Sequence, residues 1–239
     1  MHESGSYSKM TLFKKEEIEK ILGLEIKDED LYISAFTHRS YLNENRGFRL
    51  PHNERLEFLG DAVLELVATE YLYKNYNHPE GELTNFRSAL VNYKILSEIA
   101  GRLGFEKFLQ MSRGEAKDTG RARQVILANC IEAVIGAIYL DQGYKMSTVF
   151  IEKEILVDLP SIIDGGTYVD PKSKLQEMVQ EKRGITPTYS VLSESGPDHN
   201  KVFVVGAFVG QTEVGRGNGP SKQEAELSAA ENALKNGSF

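Results

Sequence analysis

Apolar residues recur every three to four positions through the first two thirds of the chain, and this spacing predicts helices. Between residues 16 and about 157 the pattern marks these helical segments: EEIEKILGL, DLYISAFTHRSYL, ERLEFLGDAVLELVATEYLY, LTNFRSALVNYKILSEIAGRLG, ILANCIEAVIGAIYLDQG and MSTVFIEKEIL. Glycine or proline separates most of them, as in NHPEGE and DQGY. The pattern therefore predicts an all-α domain over residues 1–163.

The pattern changes after DGGTYVDP, residues 164–171. The helical segment PKSKLQEMVQEKRG is followed by three runs of alternating polarity, PTYSVLSESG, KVFVVGAFV and TEVGRGNG. An alanine-rich helical segment, SKQEAELSAAENALK, comes last. This order predicts a small α+β domain with the arrangement α-β-β-β-α over residues 170–239, joined to the all-α domain by a linker at 164–169.

The composition is that of an ordinary soluble globular protein, with 41% hydrophobic residues in a chain of 239. No apolar run reaches the roughly 18 residues of a membrane span, and the first ten residues lack the features of a secretion signal. These features favour a cytoplasmic location without membrane contact. Cys130 is the only cysteine, so disulfides within the chain and cysteine-based metal sites are excluded.

The net charge of −7 argues mildly against nucleic-acid binding through bulk charge. The charge is unevenly distributed, because residues 170–239 hold 8 basic and 9 acidic side chains. A local basic face can therefore form in the small domain.

The segment NERLEFLGDAVLEL, residues 53–66, carries four carboxylates among apolar residues. Glu54, Glu57, Asp61 and Glu65 fall within roughly 80° of arc on a helix, where like charges repel. Because apolar residues occupy most of the circumference, we expect a narrow acidic strip that faces a cleft. A solvated face is the simple interpretation for a lone acidic pair, whereas a bound cation would relieve the repulsion along the whole strip.

A second apolar segment, ILANCIEAVIGAIYL, has only two strongly polar side chains, Asn129 and Glu132, which share one helical face. A buried carboxylate needs a partner, and either an arginine or lysine or a metal ion can serve. The metal interpretation joins Glu57 and Asp61 of the first segment to Asn129 and Glu132 of the second. These oxygen donors suit magnesium, with manganese as an alternative.

The segment NERLEFLGDAVL resembles the signature of ribonuclease III endonucleases. Three further segments match that family in the same order: FTHRSY at 36–41, PEGELTNFRSALV at 79–91 and IEAVIGAIYLD at 131–141. The resemblance implies that Glu57, Asp61 and Glu132 are magnesium-site residues. It further implies that Asp61 and Glu132 are indispensable to catalysis and that Glu54 assists at the RNA or at a second metal.

At one position the sequence departs from the family, which usually has aspartate where Asn129 stands. An amide oxygen can still bind a hard cation, but it brings no charge. Two hypotheses follow: an active enzyme with a weakened metal site, or a catalytically silent protein that binds double-stranded RNA. A third, a helical metal-binding or phosphohydrolase domain acting on small nucleotides, is disfavoured by the C-terminal segment.

Four further residues in or near the matched segments carry weaker expectations. Glu80 and Glu115 align with acidic positions implicated in substrate or metal binding, although loop carboxylates are usually solvated. For His38 we favour packing or capping over a general-base role, because nothing in the motif pairs it with a nucleophile. Glu65 has no matching role, and we expect it to be solvated at the surface.

The C-terminal segments DPKSKLQEMVQ, GPDHNKVFVV and GRGNGPSKQEAELSAAENAL resemble the double-stranded-RNA-binding domain. Such a domain recognises the shape of A-form RNA across successive grooves. The resemblance implies RNA contacts for Ser173, Gln176 and Gln180 on the first helix, His199 in the loop GPDHNK and Lys222 at the start of the last helix. Gln223 replaces the second lysine of the family's usual pair, which is expected to weaken the phosphate contact.

The resemblance as a whole implies a magnesium-dependent endoribonuclease that cuts double-stranded RNA as a symmetric homodimer. It implies products with 5′-phosphate and 3′-hydroxyl ends and two-nucleotide 3′ overhangs, made during processing of ribosomal and messenger RNA. No organic cofactor is expected, because metal-assisted hydrolysis needs no covalent intermediate.

Overall fold

The computed structural model describes residues 13–164, 170–197 and 201–237. Contacts divide the chain into two compact units, Met1–Gly165 and Gly166–Phe239. The division falls inside the linker that the sequence predicts at residues 164–169.

The first unit, called the helical unit below, is built of α-helices joined by loops and short 3₁₀ turns. Its helices are α1 (Lys15–Leu22), α2 (Glu29–Ala35), α3 (Arg39–Glu44), α4 (Glu54–Asn75), α5 (Glu80–Leu90), α6 (Tyr93–Arg102), α7 (Arg121–Gln142), α8 (Tyr144–Glu154) and α9 (Leu159–Asp164). Large apolar side chains from several of them are fully buried, among them Tyr32, Leu64, Phe86 and Ile131. The predicted all-α domain is confirmed.

Two of the predicted helical segments are each divided into two helices by a capping side chain. Asn92 accepts hydrogen bonds from two backbone N–H groups of α6, so that α6 begins there and α5 ends just before. The His38 side chain accepts a hydrogen bond from the backbone N–H of Ser40 and caps α3 in the same way. Such caps start a new helix even though the apolar spacing runs on without a break.

The long helices α4 and α7 cross with their backbones in direct contact. A Cβ atom on Gly60 of α4 would lie 1.7 Å from the carbonyl oxygen of Glu132 in α7. A Cβ atom on Gly136 of α7 would lie 2.2 Å from the carbonyl oxygen of Leu56. Only glycine fits at either position, so the crossing fixes how the two helices are aligned.

Helix α7 is long and apolar enough to cross a membrane by length and composition, and it is the one such helix in the described part of the chain. Most of its apolar stretch is buried inside the helical unit, as in the core helix of a globular domain. The expectation that no segment has the length of a membrane span is therefore corrected for α7. A single, mostly buried helix of this kind is weak evidence for membrane contact.

The second unit, called the RNA-motif unit below, has the predicted order of elements. They are α10 (Pro171–Arg183), β1 (Thr188–Ser195), β2 (Val202–Val209), β3 (Thr212–Gly219) and α11 (Lys222–Asn236). The strands form an antiparallel sheet in the order β1-β2-β3. One core contains apolar residues of both helices and of β2 and β3, so both helices pack against the sheet.

Small residues allow α11 to lie directly on β3. Alternate positions of the strand, Gly215, Gly217 and Gly219, face the helix. A Cβ atom on Gly217 would lie 2.2 Å from the backbone nitrogen of Ala229. The alanines of α11 are buried at this contact, which explains why an alanine-rich helix can be part of a core.

Candidate active site

The four residues predicted to form a metal site come together where α4 crosses α7. The Asn129 side chain of α7 hydrogen-bonds to the Glu57 carboxylate of α4. Glu132, one helical turn further along α7, interacts electrostatically with Glu57 and Asp61. Glu57 and Asp61 flank Gly60, so the backbone contact of the two helices also determines the spacing of these side chains.

The ionised forms of two carboxyl groups in this cluster, Glu57 and Glu132, are destabilised. Burial, together with the Asp61 and Glu57 carboxylates, raises the pKa of Glu132 to about 8. Burial and the Glu54 carboxylate raise the pKa of Glu57, and the hydrogen bond from Asn129 offsets part of that rise. An arginine or lysine partner, the simpler interpretation of Glu132, would have lowered its pKa. The groups that shift the pKa of Glu132 include no arginine or lysine, and a bound cation would favour its ionised form.

The donor set fits a hard divalent cation, although its present geometry is not that of a closed metal site. Among the described residues, no three His, Cys, Asp or Glu side chains converge to hold a metal ion. Asp61 is exposed, whereas Glu57 and Glu132 are half-buried. Three carboxylates and one amide oxygen are nonetheless the ligands that magnesium and manganese prefer.

Glu54 and Glu80 begin the helices on which they lie. Glu54 is the first residue of α4, and its carboxylate is 3.4 Å from Nη1 of Arg39. Glu80 is the first residue of α5 and borders a surface groove together with Tyr73 and Arg87. Glu54 contributes to the raised pKa of Glu57, which connects it electrostatically to the cluster.

Glu65, the fourth carboxylate of the acidic strip, has a structural partner. Its Oε2 atom is 2.9 Å from Nε of Arg87, so the ion pair joins α4 to α5. Arg87 also donates a 2.8 Å hydrogen bond to Oγ1 of Thr69. Glu65 lies at the surface as expected, with its side chain 39% exposed, and the ion pair to Arg87 adds a contact between α4 and α5.

The FTHRSY segment anchors the loop that carries Glu115. Nδ1 of His38 is 2.8 Å from Oγ of Ser40, which accepts a 3.0 Å hydrogen bond from the backbone N–H of Ser112. Oγ of Ser112 accepts a 3.3 Å hydrogen bond from the backbone N–H of Glu115. Burial lowers the pKa of His38, and the nearby Glu115 carboxylate offsets part of this shift by raising the pKa. The expectation that His38 has a capping role is confirmed.

Exposed apolar side chains on α4 were not anticipated. Phe58 is 81% exposed and Leu66 is 57% exposed, and Leu140 of α7 is 55% exposed. The groove beside Phe58 is lined in part by Leu31, Leu56, Leu59 and Leu140. Helix α4 therefore has an exposed apolar strip beside its acidic strip. The prediction that only a narrow acidic strip of this helix is exposed is corrected.

The predicted RNA contacts of the RNA-motif unit lie on its surface. Ser173, Gln176 and Gln180 are exposed at a helical spacing of three and four residues, so they share one face of α10. Leu175 and Val179 are buried on the other side of that helix. Lys222 is the exposed first residue of α11. His199 lies outside the described residues, and its role stays a prediction.

Comparison with known proteins identifies both units. The family described as Ribonuclease-III-like matches residues 28–159, and the double-stranded RNA binding motif matches residues 171–236. A protein named Ribonuclease 3 from Listeria monocytogenes serotype 4a is 43% identical over 223 residues, which is 92% of this chain and 96% of that protein. Its namesake from Oceanobacillus iheyensis is 44% identical over 220 residues, with 91% and 95% of the two chains covered.

A solved structure agrees with these matches. The nuclease domain of ribonuclease III from Campylobacter jejuni superposes with a TM-score of 0.55 at 40% identity, covering 62% of this chain and 99% of that domain. The chain therefore belongs to the ribonuclease III family of endoribonucleases. Its helical unit is the nuclease domain, and its RNA-motif unit is a double-stranded-RNA-binding domain.

Proposed function

We propose that the cluster at the α4–α7 crossing hydrolyses double-stranded RNA with magnesium, or manganese, as its cofactor. The observation that carries the proposal is the proximity of four oxygen donors at this crossing, where Asn129 hydrogen-bonds to Glu57 and Glu132 interacts with Glu57 and Asp61. A divalent cation held by Glu57, Asp61, Asn129 and Glu132 would stabilise the ionised carboxylates with oxygen ligands only.

When bound, magnesium supplies Lewis-acid chemistry, which neutralises charge on the scissile phosphate and lowers the pKa of water. The protein keeps its donors at a fixed spacing through the contact of Gly60 with the backbone of α7. Asp61 is exposed and can reach the RNA backbone, whereas Glu132 is half-buried and would bind the cation from the protein side. Glu54, at the exposed start of α4, assists at the RNA or at a second ion.

The proposed active form is a symmetric homodimer in which each site cuts one strand. The exposed apolar residues Phe58, Leu66 and Leu140 support it, since large apolar side chains exposed together often mark an interface. The Campylobacter jejuni structure, to which the helical unit is similar, concerns a region involved in dimer formation in that protein. Cuts by the two sites on opposite strands would leave the proposed two-nucleotide 3′ overhangs. Attack of water at phosphorus, with cleavage of the bond to the 3′ oxygen, would leave 5′-phosphate and 3′-hydroxyl ends.

We place this activity in the processing of ribosomal and messenger RNA in the cytoplasm. The proposal rests on the substrate class, because duplex segments of folded RNA precursors have the A-form shape that a double-stranded-RNA-binding motif recognises. Hydrolysis by metal and water requires no organic cofactor.

The test is cleavage of long duplex RNA by the wild type and by Asp61→Ala, in magnesium, in calcium and in EDTA. We expect the wild type to cleave in magnesium, to bind with little turnover in calcium and to be inactive in EDTA. Asp61→Ala should lose cleavage by on the order of a thousandfold, equivalent to about 4 kcal/mol of transition-state stabilisation. Its duplex affinity should change little, because most of the proposed RNA contacts lie in the other unit.

Glu65→Gln is the matched control, because Glu65 lies on the same helix but pairs with Arg87. It should retain nearly full activity. Robust cleavage by Asp61→Ala in magnesium would remove Asp61 from the site. A wild type that binds duplex RNA but cleaves at no magnesium or manganese concentration would instead support the silent-binder hypothesis raised by Asn129.

A further inference from the structure

Helix α7 has an acidic side chain in its last turn, where a carboxylate is repelled by the negative end of the helix dipole. This residue is Asp141, one position before the end of the helix. Its Oδ1 atom accepts a 3.0 Å hydrogen bond from the backbone N–H of Asp28, and its Oδ2 atom accepts a 3.1 Å hydrogen bond from the backbone N–H of Lys27. Both donors lie immediately before α2. Asp141 therefore joins the start of α2 to the end of α7.

Two side chains add further hydrogen bonds to this carboxylate. The hydroxyl of Tyr32, a fully buried residue of α2, donates a 3.2 Å hydrogen bond to Oδ2. Nε2 of Gln142 is 2.9 Å from the same oxygen and 2.8 Å from the backbone carbonyl oxygen of Glu25. Burial alone would raise the pKa of Asp141, but the hydrogen bonds from Gln142, from the two backbone N–H groups and from Tyr32 outweigh it and lower that pKa. The hydrogen bonds between α2 and α7 are therefore made to an ionised group, which strengthens them.

The hydrogen bond between Tyr32 and Asp141 lies next to two side chains of the groove beside Phe58. Leu31 precedes Tyr32 on α2, and Leu140 precedes Asp141 on α7. Both leucines line that groove, one from each helix. Because each leucine directly adjoins a residue of the hydrogen bond, the bond controls the separation of the two walls of the groove.

We propose that Asp141 is a positioning residue for the homodimer interface, because its carboxylate holds α2 against α7 and so keeps the shape of the groove that a second copy of the chain contacts. This inference rests on the proposed function, in which the homodimer is the active form. Asp141 lies nine residues beyond Glu132 on α7, which is about 13.5 Å along the helix. It therefore acts on cleavage through dimer formation and not through the chemical step.

The first measurement is the dimer dissociation constant of the full chain, obtained by sedimentation. Asp141→Asn keeps the shape of the side chain without its charge and should raise the dissociation constant by roughly tenfold, whereas Tyr32→Phe removes one hydrogen bond and should raise it by roughly threefold. Asp158→Asn is the matched control, because Asp158 also joins two elements of the helical unit, through its ion pair with Arg102, but lines a different groove. That variant should keep the wild-type dissociation constant.

The second measurement is cleavage of duplex RNA in magnesium, expressed per active site, over a series of protein concentrations. Asp141→Asn should cleave poorly at low concentration and should reach the wild-type rate once the concentration exceeds its own dissociation constant, because mass action restores the dimer. Asp61→Ala should recover at no concentration, because it lacks a proposed metal ligand. This recovery distinguishes a positioning role at the interface from a general loss of structure.

The inference is overturned if Asp141→Asn, shown to be folded by circular dichroism, keeps the wild-type dissociation constant, or if its cleavage recovers at no concentration. Should Asp141→Asn fail to fold, Tyr32→Phe decides the question by the same two measurements. A wild type that cleaves as a monomer overturns the proposed homodimer together with this inference. A dimeric wild type whose dissociation constant is unaffected by either variant overturns this inference alone.

Discussion

Both units of this chain bring two backbones into contact at glycine, but the contacts serve different purposes. In the helical unit, Gly60 and Gly136 let α4 touch α7, and the crossing assembles the acidic cluster around Glu132. In the RNA-motif unit, Gly217 lets β3 touch α11, and the contact buries the alanines of α11 without any acidic cluster. A substitution that disturbs the first contact should therefore lower RNA cleavage. A substitution that disturbs the second should lower only RNA binding.

The difference also concerns where functional side chains lie. Residues of the acidic cluster flank the backbone contact itself, as Glu57 and Asp61 do on either side of Gly60. The predicted RNA contacts lie on exposed faces, with Lys222 at the end of α11 and Gln176 on the solvent side of α10. A site made at a crossing depends on the alignment of two helices, whereas a surface site depends on one intact module.

Among the three substitutions that test this comparison, the largest effect is expected for Gly60→Ala. The new methyl group would overlap the Glu132 carbonyl, so the helices must separate and the cluster must open. We expect the free energy of unfolding of the helical unit to fall by about 3 kcal/mol or more. RNA cleavage should fall by on the order of a hundredfold or more, equivalent to at least about 2.7 kcal/mol. Thermal unfolding and single-turnover cleavage measure the two losses.

Gly101→Ala is the matched control, because Gly101 lies in α6 with open space around its Cβ position. That variant should be unchanged or more stable by about 0.5–1 kcal/mol, since alanine favours the helix. Normal stability and cleavage in the Gly60→Ala variant would show that the crossing tolerates a side chain, and the comparison between the two units would lose its basis.

An intermediate effect is expected for Gly217→Ala. Its methyl group would overlap the backbone of α11, which should destabilise the RNA-motif unit by about 2–3 kcal/mol. Duplex affinity should drop by roughly tenfold or more at physiological salt, while cleavage at low salt should persist because the helical unit keeps its own core. Binding and cleavage measured over a salt series separate these outcomes. Loss of cleavage at low salt as well would show that the helical unit depends on its neighbour.

The smallest effect is expected for Asn129→Asp, which changes charge at the crossing without changing its shape. A charge a few ångströms from a divalent ion at an effective dielectric near 20 is worth several kcal/mol before desolvation is subtracted. A net gain of about 1–3 kcal/mol should lower the magnesium concentration for half-maximal cleavage by roughly tenfold or more. Magnesium titrations of cleavage by both proteins measure the shift.

Superimposable magnesium curves would show that residue 129 is not a ligand and that Asn129 serves only as the hydrogen-bond partner of Glu57. An opposite shift, to higher magnesium, would mean that repulsion between the introduced carboxylate and Glu57 outweighs the added attraction for the ion. A wild type rescued from complete inactivity by the aspartate would favour the silent-binder hypothesis.

Much of the fold could be predicted from periodicity, because α7 and β2 have apolar patterns that only a buried helix and a buried strand explain. The helix breaks at His38 and Asn92 could not be predicted in this way, because the apolar spacing continues across both and only a side-chain cap separates the helices. Periodicity also shows that a face is apolar without showing what covers it. The exposure of Phe58 was missed for this reason.

The candidate site was predictable to the extent that acidic residues in apolar helices are unusual. The structure brings Glu57, Asp61, Asn129 and Glu132 together, while their roles in metal binding and catalysis stay predictions. The pairing of Glu65 with Arg87 depends on tertiary packing of α5, which sequence spacing does not encode.

The contact at Gly60 and Gly136 also bears on how such an enzyme can evolve or be engineered. Peptide groups, whose dimensions no mutation alters, set the distance between α4 and α7 at that point. Substitutions among leucine, isoleucine and valine in the core elsewhere in the unit need not change that distance. We therefore expect that repacking the core of the helical unit can raise its thermal stability and leave the spacing of the catalytic side chains unchanged.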